Sequence, residues 1–218
     1  FSQFGLLAMP FSEEDGGFNG GPVDIMIILE AFGTGLIVEP YIPNIVLSGN
    51  LVSKLGNKEQ KEAILPNLLS GDMQLAFAFS EPQSRFDLND VTTLAEKKGS
   101  DFKLNGFKSV VMNGPAADKL IISARTAGSQ LDENGISLFI VDRETKGVSL
   151  RDYSNIDGSK ASELTLEDVV LTEDALLGEQ DKAFSTIEEV VNLATLAISA
   201  EAIGTVSYTH LRAHETFR

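Results

Sequence analysis

The spacing of apolar residues changes rhythm twice along the chain. From Phe1 to about Met73 they recur at helical intervals between glycine-rich joints. Pro22 suits a first helical turn, and the nearly continuous apolar run Val23 to Phe32 predicts a deeply buried helix closed by Gly33. A second helix is expected from Asn57, with Gln60 three residues on in a capping-box arrangement. Ile64, Leu65, Leu68 and Leu69 fall on one face, Pro66 should kink or divide the segment, and Gly71 can end it. From Met73 the texture turns to strands and tight turns, with strands expected at 75–79, 91–96, 119–125, 136–141, 148–153 and 163–171. Phe102 to Val111 reads as a hairpin turning on Asn105-Gly106. Helical period returns after Asp181, a plausible N-cap, with Phe184, Ile187, Val191, Ala194 and Ile198 at helical spacing.

Many short strands without interleaved helices suggest a β-barrel or sandwich. The expected class is therefore α+β. A helical N-terminal part (1–73) precedes a middle β-barrel or sandwich domain (74–178) and the first helix of a truncated C-terminal helical bundle (179–206). Residues 207–218 do not continue the pattern and resemble translated sequencing-adapter read-through, so a non-native tail is expected there.

Composition narrows the functions. A net charge of −15 argues against nucleic-acid binding, which needs a basic stripe. There is no cysteine, so disulfide and thiolate chemistry are excluded. No uninterrupted apolar run reaches eighteen residues, so no membrane span is expected. The chain opens at Phe1 without a leader and reads as the interior of a longer, cytoplasmic protein.

His210 and His214 stand four apart beside Glu215, a spacing that can bring two imidazoles to a metal, but no third ligand is specified and the plainer reading is a solvated tail. Gly16-Gly17 and Gly20-Gly21 precede a helix without the GxGxxG or Walker context of a phosphate loop, and read as a flexible approach to that helix. Ser80-Glu81-Pro82, closing an apolar strand, offers a hydroxyl and free N–H groups to a ligand's polar edge, though such triplets usually make turns.

Its surroundings change that weighting. Leu55-Gly-Asn-Lys-Glu-Gln-Lys, Leu65-Pro-Asn-Leu-Leu-Ser-Gly-Asp and Ala76-Phe-Ala-Phe-Ser-Glu-Pro resemble acyl-CoA dehydrogenases. Leu104-Asn-Gly-Phe-Lys-Ser-Val-Val-Met-Asn-Gly, Ala117-Asp118 and Glu167-Asp-Val…Leu176-Leu-Gly follow in that family's order and spacing, so the resemblance runs from Phe1 to about Gly204. It implies FAD against the middle domain and an acyl-CoA thioester between the flavin and a carboxylate base. The flavin motif maps onto Phe77 to Phe86, with the Phe79 N–H and the Ser80 hydroxyl toward the ring. A second contact, usually Trp-Ile-Thr, maps onto Val110, Val111 and Met112, so an aromatic wall and a hydroxyl are replaced. The family's Ala-Gly-Ser-Asp becomes Ser84-Arg85-Phe86-Asp87, which puts Phe86 where a substrate serine usually stands and offers Arg85 to a phosphate or carboxylate.

The resemblance places the base beyond this chain, or at a position that maps onto Ala194; Glu188, Glu189 and Glu201 are read as solvated, and the fragment is expected to be inactive. The altered motifs and Val38-Glu-Pro-Tyr41 look most like the small subunit of pimeloyl-CoA dehydrogenase-type enzymes. That implies a homo- or hetero-oligomer with a second dehydrogenase subunit, and an electron-transfer flavoprotein as acceptor. A non-catalytic partner subunit, and a flavin monooxygenase or acyl-CoA oxidase on the same scaffold, stand as alternatives.

Overall fold

A computed structural model describes the backbone of residues 1–215 and the side chains as far as His210. The first main helix, α1, spans Pro22–Gly35, with the Gly21 N–H donating to Asp24 Oδ2 at 2.8 Å. Gly33 does not close it; the helix runs on and Leu36 takes the left-handed turn at φ 50°. Nor is it buried all round, since Ile25, Leu29 and Phe32 face the core while Val23 and Ile27 are exposed. Gly33 serves a crossing instead. A Cβ there would lie 1.9 Å from the Glu201 carbonyl oxygen on the last helix, and one on Gly204 would lie 2.0 Å from the Glu30 oxygen.

The most deeply buried helix is one that periodicity does not announce. It is α2, a π-helical Ile42–Gly49 running straight into α-helical Asn50–Leu55. Residues 43–52 are all buried, the polar Asn44, Ser48 and Asn50 among them, so burial here does not follow the spacing of apolar residues. Helix α3, Lys58–Ser70, has the expected capping box: Gln60 N–H donates to Asn57 Oδ1 at 2.8 Å, and Asn57 N–H to Gln60 Oε1 at 3.1 Å. Pro66 neither ends nor divides it; Gly71 closes it at φ 87°. Gly17 and Gly20 pack backbone to backbone, where a Cβ would meet the oxygens of Phe11 and Met9 at 2.3 and 2.4 Å, so that loop is a packed corner leading into α1.

Eight strands follow: β1 Leu75–Ala78, β2 Leu94–Lys98, β3 Asp101–Met112, β4 Lys119–Arg125, β5 Ile136–Asp142, β6 Val148–Ser154, β7 Lys160–Leu171 and β8 Leu176–Leu177. They form one sheet in the order β6-β7-β3-β2-β4-β5-β8, with β1 parallel to β4. Strands β3 and β5 stand three places apart, about 14 Å in a flat sheet. Yet the rings of Phe102 and Phe139 meet at 5.0 Å, so the sheet is strongly curled around its own core. Its other face, through Phe77, Ile121 and Leu138, packs on the helices.

The hairpin expected at Asn105-Gly106 is absent. These residues lie inside the continuous strand β3, and the chain turns at Gly99-Ser100 instead. Asn105 marks a slip in the β3–β7 register; its Oδ1 accepts from the Asp168 N–H at 2.8 Å. Gly106 passes so close to Thr93 that a Cβ would lie 2.5 Å from its hydroxyl. The signal was read as a turn but belongs to a bulge.

Helix α4, Phe184–Glu215, begins three residues after Asp181. Asp181 is not its cap: at φ 68° its N–H donates to Ser137 Oγ at 2.8 Å and its carboxylate accepts from Thr126 Oγ1 at 2.5 Å. It therefore ties the helix approach to β5. The buried stripe is Ile187, Val190, Ala194, Ala197 and Ala200, whereas Ile198 is exposed, as are Ile203 and Val206. By length and composition, Phe184–His210 is apolar enough to cross a membrane, although polar residues interrupt its apolar runs. A core helix meets the same test, and one face of α4 packs into the helical core. Residues 216–218 and the His214 side chain lie outside the described residues, and with them half of the two-histidine pair.

Candidate functional site

A cavity of about 360 Å³ opens where β1 and β3 meet α2 and α4. Its size is at the lower end for small-molecule sites. Strand β1 delivers Phe77 to it, the two residues just past the strand are Phe79 and Ser80, and the end of β3 delivers Val110 and Met112. The Phe77 and Phe79 rings stack at 4.8 Å. Pro43 and Leu47 of α2 and Val191 of α4 close the helical side, and the turn after β1 adds Ser84, Arg85, Phe86, Asp87 and Leu88.

Seven of the eight residues picked from the sequence thus meet around one space. Val111 is the exception. Alternation along β3 exposes Val110 and Met112 and turns Val111 into the sheet's core, so its side chain cannot face a ligand in the cavity. Arg85 holds a left-handed backbone, φ 49°, and Phe86 is almost fully exposed at the rim. Among the described residues Asp87 is the one carboxylate lining the cavity, while Glu188, Glu189 and Glu201 of α4 do not line it. Glu201 is raised above the usual carboxylate range by burial and by Asp157, but points elsewhere.

Behind the rim lies a feature the sequence reading passed over. Glu81 and Lys108 form an ion pair, Nζ to Oε1 2.7 Å, with both side chains fully buried. The carboxylate also accepts from the N–H groups of Thr92 (2.8 Å) and Thr93 (3.0 Å), the Thr92 hydroxyl and Gln83 Nε2 (2.9 Å). Lys108 donates further to Ser123 Oγ at 3.0 Å. Burial works to raise the Glu81 carboxyl, but the Lys108 charge and the hydrogen bonds from Lys108, Thr92 and Gln83 outweigh it and hold it at about 2. Burial draws Lys108 down to about 8 against the pull of Glu81, so both groups are charged at neutral pH. The available signal was a lysine inside an otherwise strand-like apolar run, Phe107 to Val111.

Two amides hold β1 in place. Asn44 Oδ1 of α2 accepts from the Leu75 N–H at 2.7 Å, and Asn113 Nδ2, just past β3, donates to the Leu75 carbonyl at 3.0 Å. Arg125 spreads its guanidinium over four carbonyls, of Asn89, Gln130, Asp132 and Asn134, at 2.6–3.0 Å. It thereby fixes the far end of the loop that begins at Glu81.

A helical domain and a curled sheet enclosing an apolar cavity with a polar rim make an α+β fold. Residues 1–72 match the acyl-CoA dehydrogenase N-terminal domain, and residues 76–169 the acyl-CoA dehydrogenase middle domain. The chain carries these two domains and belongs to the acyl-CoA dehydrogenase family. It is 33% identical to an acyl-CoA dehydrogenase of Bacillus subtilis over 92% of this chain and 54% of that protein. It is 30% identical to the caffeyl-CoA reductase-Etf complex subunit CarC of Acetobacterium woodii, over 93% of this chain and 55% of that protein. Butyryl-CoA dehydrogenase from Megasphaera elsdenii superposes with a TM-score of 0.89 at 26% identity, over 98% of this chain and 58% of that one. The chain spans about half the length of the curated relatives it matches.

The family implies FAD, and the cavity's chemistry fits the ring end of that cofactor. A flat aromatic ring system needs an apolar wall and polar groups at its margin. Phe77, Phe79, Val110 and Met112 supply the wall, and Ser80 and Ser84 the margin. The whole dinucleotide needs more room than about 360 Å³, so its nucleotide end would lie outside this cavity.

Proposed function

We propose that this chain is the N-terminal and middle part of an FAD-dependent dehydrogenase that oxidises an acyl-CoA thioester between its α and β carbons. The observation that carries the reading is the convergence of Phe77, Phe79, Ser80, Val110 and Met112, distant in sequence, around one apolar cavity. Bound flavin supplies the two-electron chemistry. This chain's residues then do the positioning. The phenylalanine pair and Met112 exclude water from the ring's seat, the Ser80 hydroxyl offers a hydrogen bond at its edge, and the 84–88 turn lies where the substrate enters. Arg85, exposed and free of any ion pair among the described residues, suits a substrate phosphate or carboxylate. Among the described residues no carboxylate of α4 lines the cavity, so the α-proton falls to a base on the rest of the protein, or to Asp87 in the rim.

The similarity to CarC supports an electron-transfer flavoprotein as redox partner. The replaced contacts Val110 and Met112 favour a second reading, a partner subunit that completes another chain's site, in keeping with a resemblance to pimeloyl-CoA dehydrogenase small subunits. The test is to express the full-length protein and record its visible spectrum. A flavin band, weakened by Ser80→Ala, supports the dehydrogenase; a colourless protein that gains nothing from added FAD overturns it in favour of the partner subunit.

A further inference from the structure

The Glu81–Lys108 pair takes no part in the chemistry proposed above. Among the described ion pairs it is the one with both side chains fully buried. Such a pair adds little stability over an apolar pair of the same shape, because desolvation offsets the attraction. What it supplies instead is geometry: Ser80, which lines the cavity, is the covalent neighbour of Glu81, and Val110, which also lines it, stands two residues past Lys108. Ser80 precedes Glu81, and Ser109 follows Lys108; the Ser109 N–H donates to the Ser80 carbonyl at 2.9 Å. The Glu81 N–H donates to Ser84 Oγ at 3.1 Å, and that hydroxyl donates back to the Glu81 carbonyl at 2.9 Å, fixing the turn that carries Arg85 and Phe86. The β3–β7 register slips between Lys108 and Val111, where Ser109 and Val110 of β3 stand against Glu163 alone of β7. A bulge of this kind re-aims the side chains beside it. Here those are Val110 and Met112.

From these contacts we infer that Glu81 and Lys108 are positioning residues: their buried pair locks β1, the bulge of β3 and the 84–88 turn into one frame that sets the seat of the flavin ring. The inference rests on the proposed function. It separates from a purely structural role because charge and shape can be removed independently.

The experiment uses the full-length protein with Lys108→Met, and with Glu81→Gln combined with Lys108→Met. Melting temperature and flavin dissociation constant are read for each. Lys108→Met strands a buried carboxylate and should melt far lower. The double variant removes both charges at similar volume and should recover most of that loss, yet bind FAD at least tenfold more weakly than the unmutated protein. A double variant that binds FAD within twofold of the unmutated protein overturns the inference. If the double variant melts as low as Lys108→Met or does not fold, Thr92→Val decides, because it removes one hydroxyl from the frame and leaves the charges paired. At least threefold weaker FAD binding supports the frame, and unchanged binding overturns it. An unmutated protein without affinity for FAD overturns this inference together with the proposed function, and is seen before any variant is made.

Discussion

The crossing of α1 and α4 gives a prediction whose sign separates two physical effects. Alanine stabilises a helix relative to glycine by about 1 kcal/mol, so propensity alone says that Gly33→Ala and Gly204→Ala should raise stability. The structure says the reverse. The new Cβ atoms would sit 1.9 and 2.0 Å from carbonyl oxygens of the opposite helix. Reaching ordinary contact requires the helices to part by roughly 1.5 Å, and a gap of even 1 Å forfeits up to half of the dispersion energy across it. With overpacking penalties included, the net loss is about 2–4 kcal/mol, or a melting temperature lower by about 5–15 °C in a domain of this size. Gly35→Ala is the internal control, in the same helix but with only the flexible Ile37 side chain near, at 3.3 Å. It should be neutral or slightly stabilising. Thermal denaturation followed by circular dichroism on the full-length protein measures all three. Gly33→Ala melting at or above the unmutated protein would refute the close crossing.

Acid should expose the buried pair. The Glu81 carboxyl is held at about 2 against an ordinary 4.5, so its stabilising contribution is present above pH 4.5 and is lost as pH falls from there toward 2. Urea titrations through that window should show a steeper loss in the unmutated protein than in Glu81→Gln, and parallel curves would contradict the assignment. Arg125→Met leaves four carbonyls without their shared donor and should destabilise by about 2–4 kcal/mol. Hydrogen exchange should accelerate first in 87–92 and 126–135, and uniform acceleration would argue against a local clamp. Gly106→Ala places a Cβ 2.5 Å from the Thr93 hydroxyl and should lower the melting temperature, whereas Gly99→Ala, with open space around it but φ 66°, should cost only about 1 kcal/mol.

Much of the fold was legible because its signals are local. Asn57 and Gln60 cap α3 across three residues, and the short, mostly apolar runs of β4 and β5 need nothing distant to be read. The residues of the cavity were legible through their order along the chain, which resembles a known family, and not through any property of Phe77 or Met112 alone. What the chain could not disclose was every feature that depends on a neighbour. Helix α2 buries Asn44, Ser48 and Asn50 along with its apolar residues because other elements surround it, so its burial cannot be read from apolar spacing. Asn105-Gly106 and Gly33 carry the sequence marks of a turn and a helix end, yet they serve a bulge and a helix crossing; the same freedom from a Cβ suits all these uses, and only the approach of Thr93 or Glu201 decides between them. Asp181 looks like a cap until Ser137 and Thr126 claim it. Glu81 and Lys108 stand 27 residues apart, and nothing in the sequence pairs one with the other. Tertiary structure made them a pair, because only a folded chain removes both from water and leaves each as the other's counter-ion.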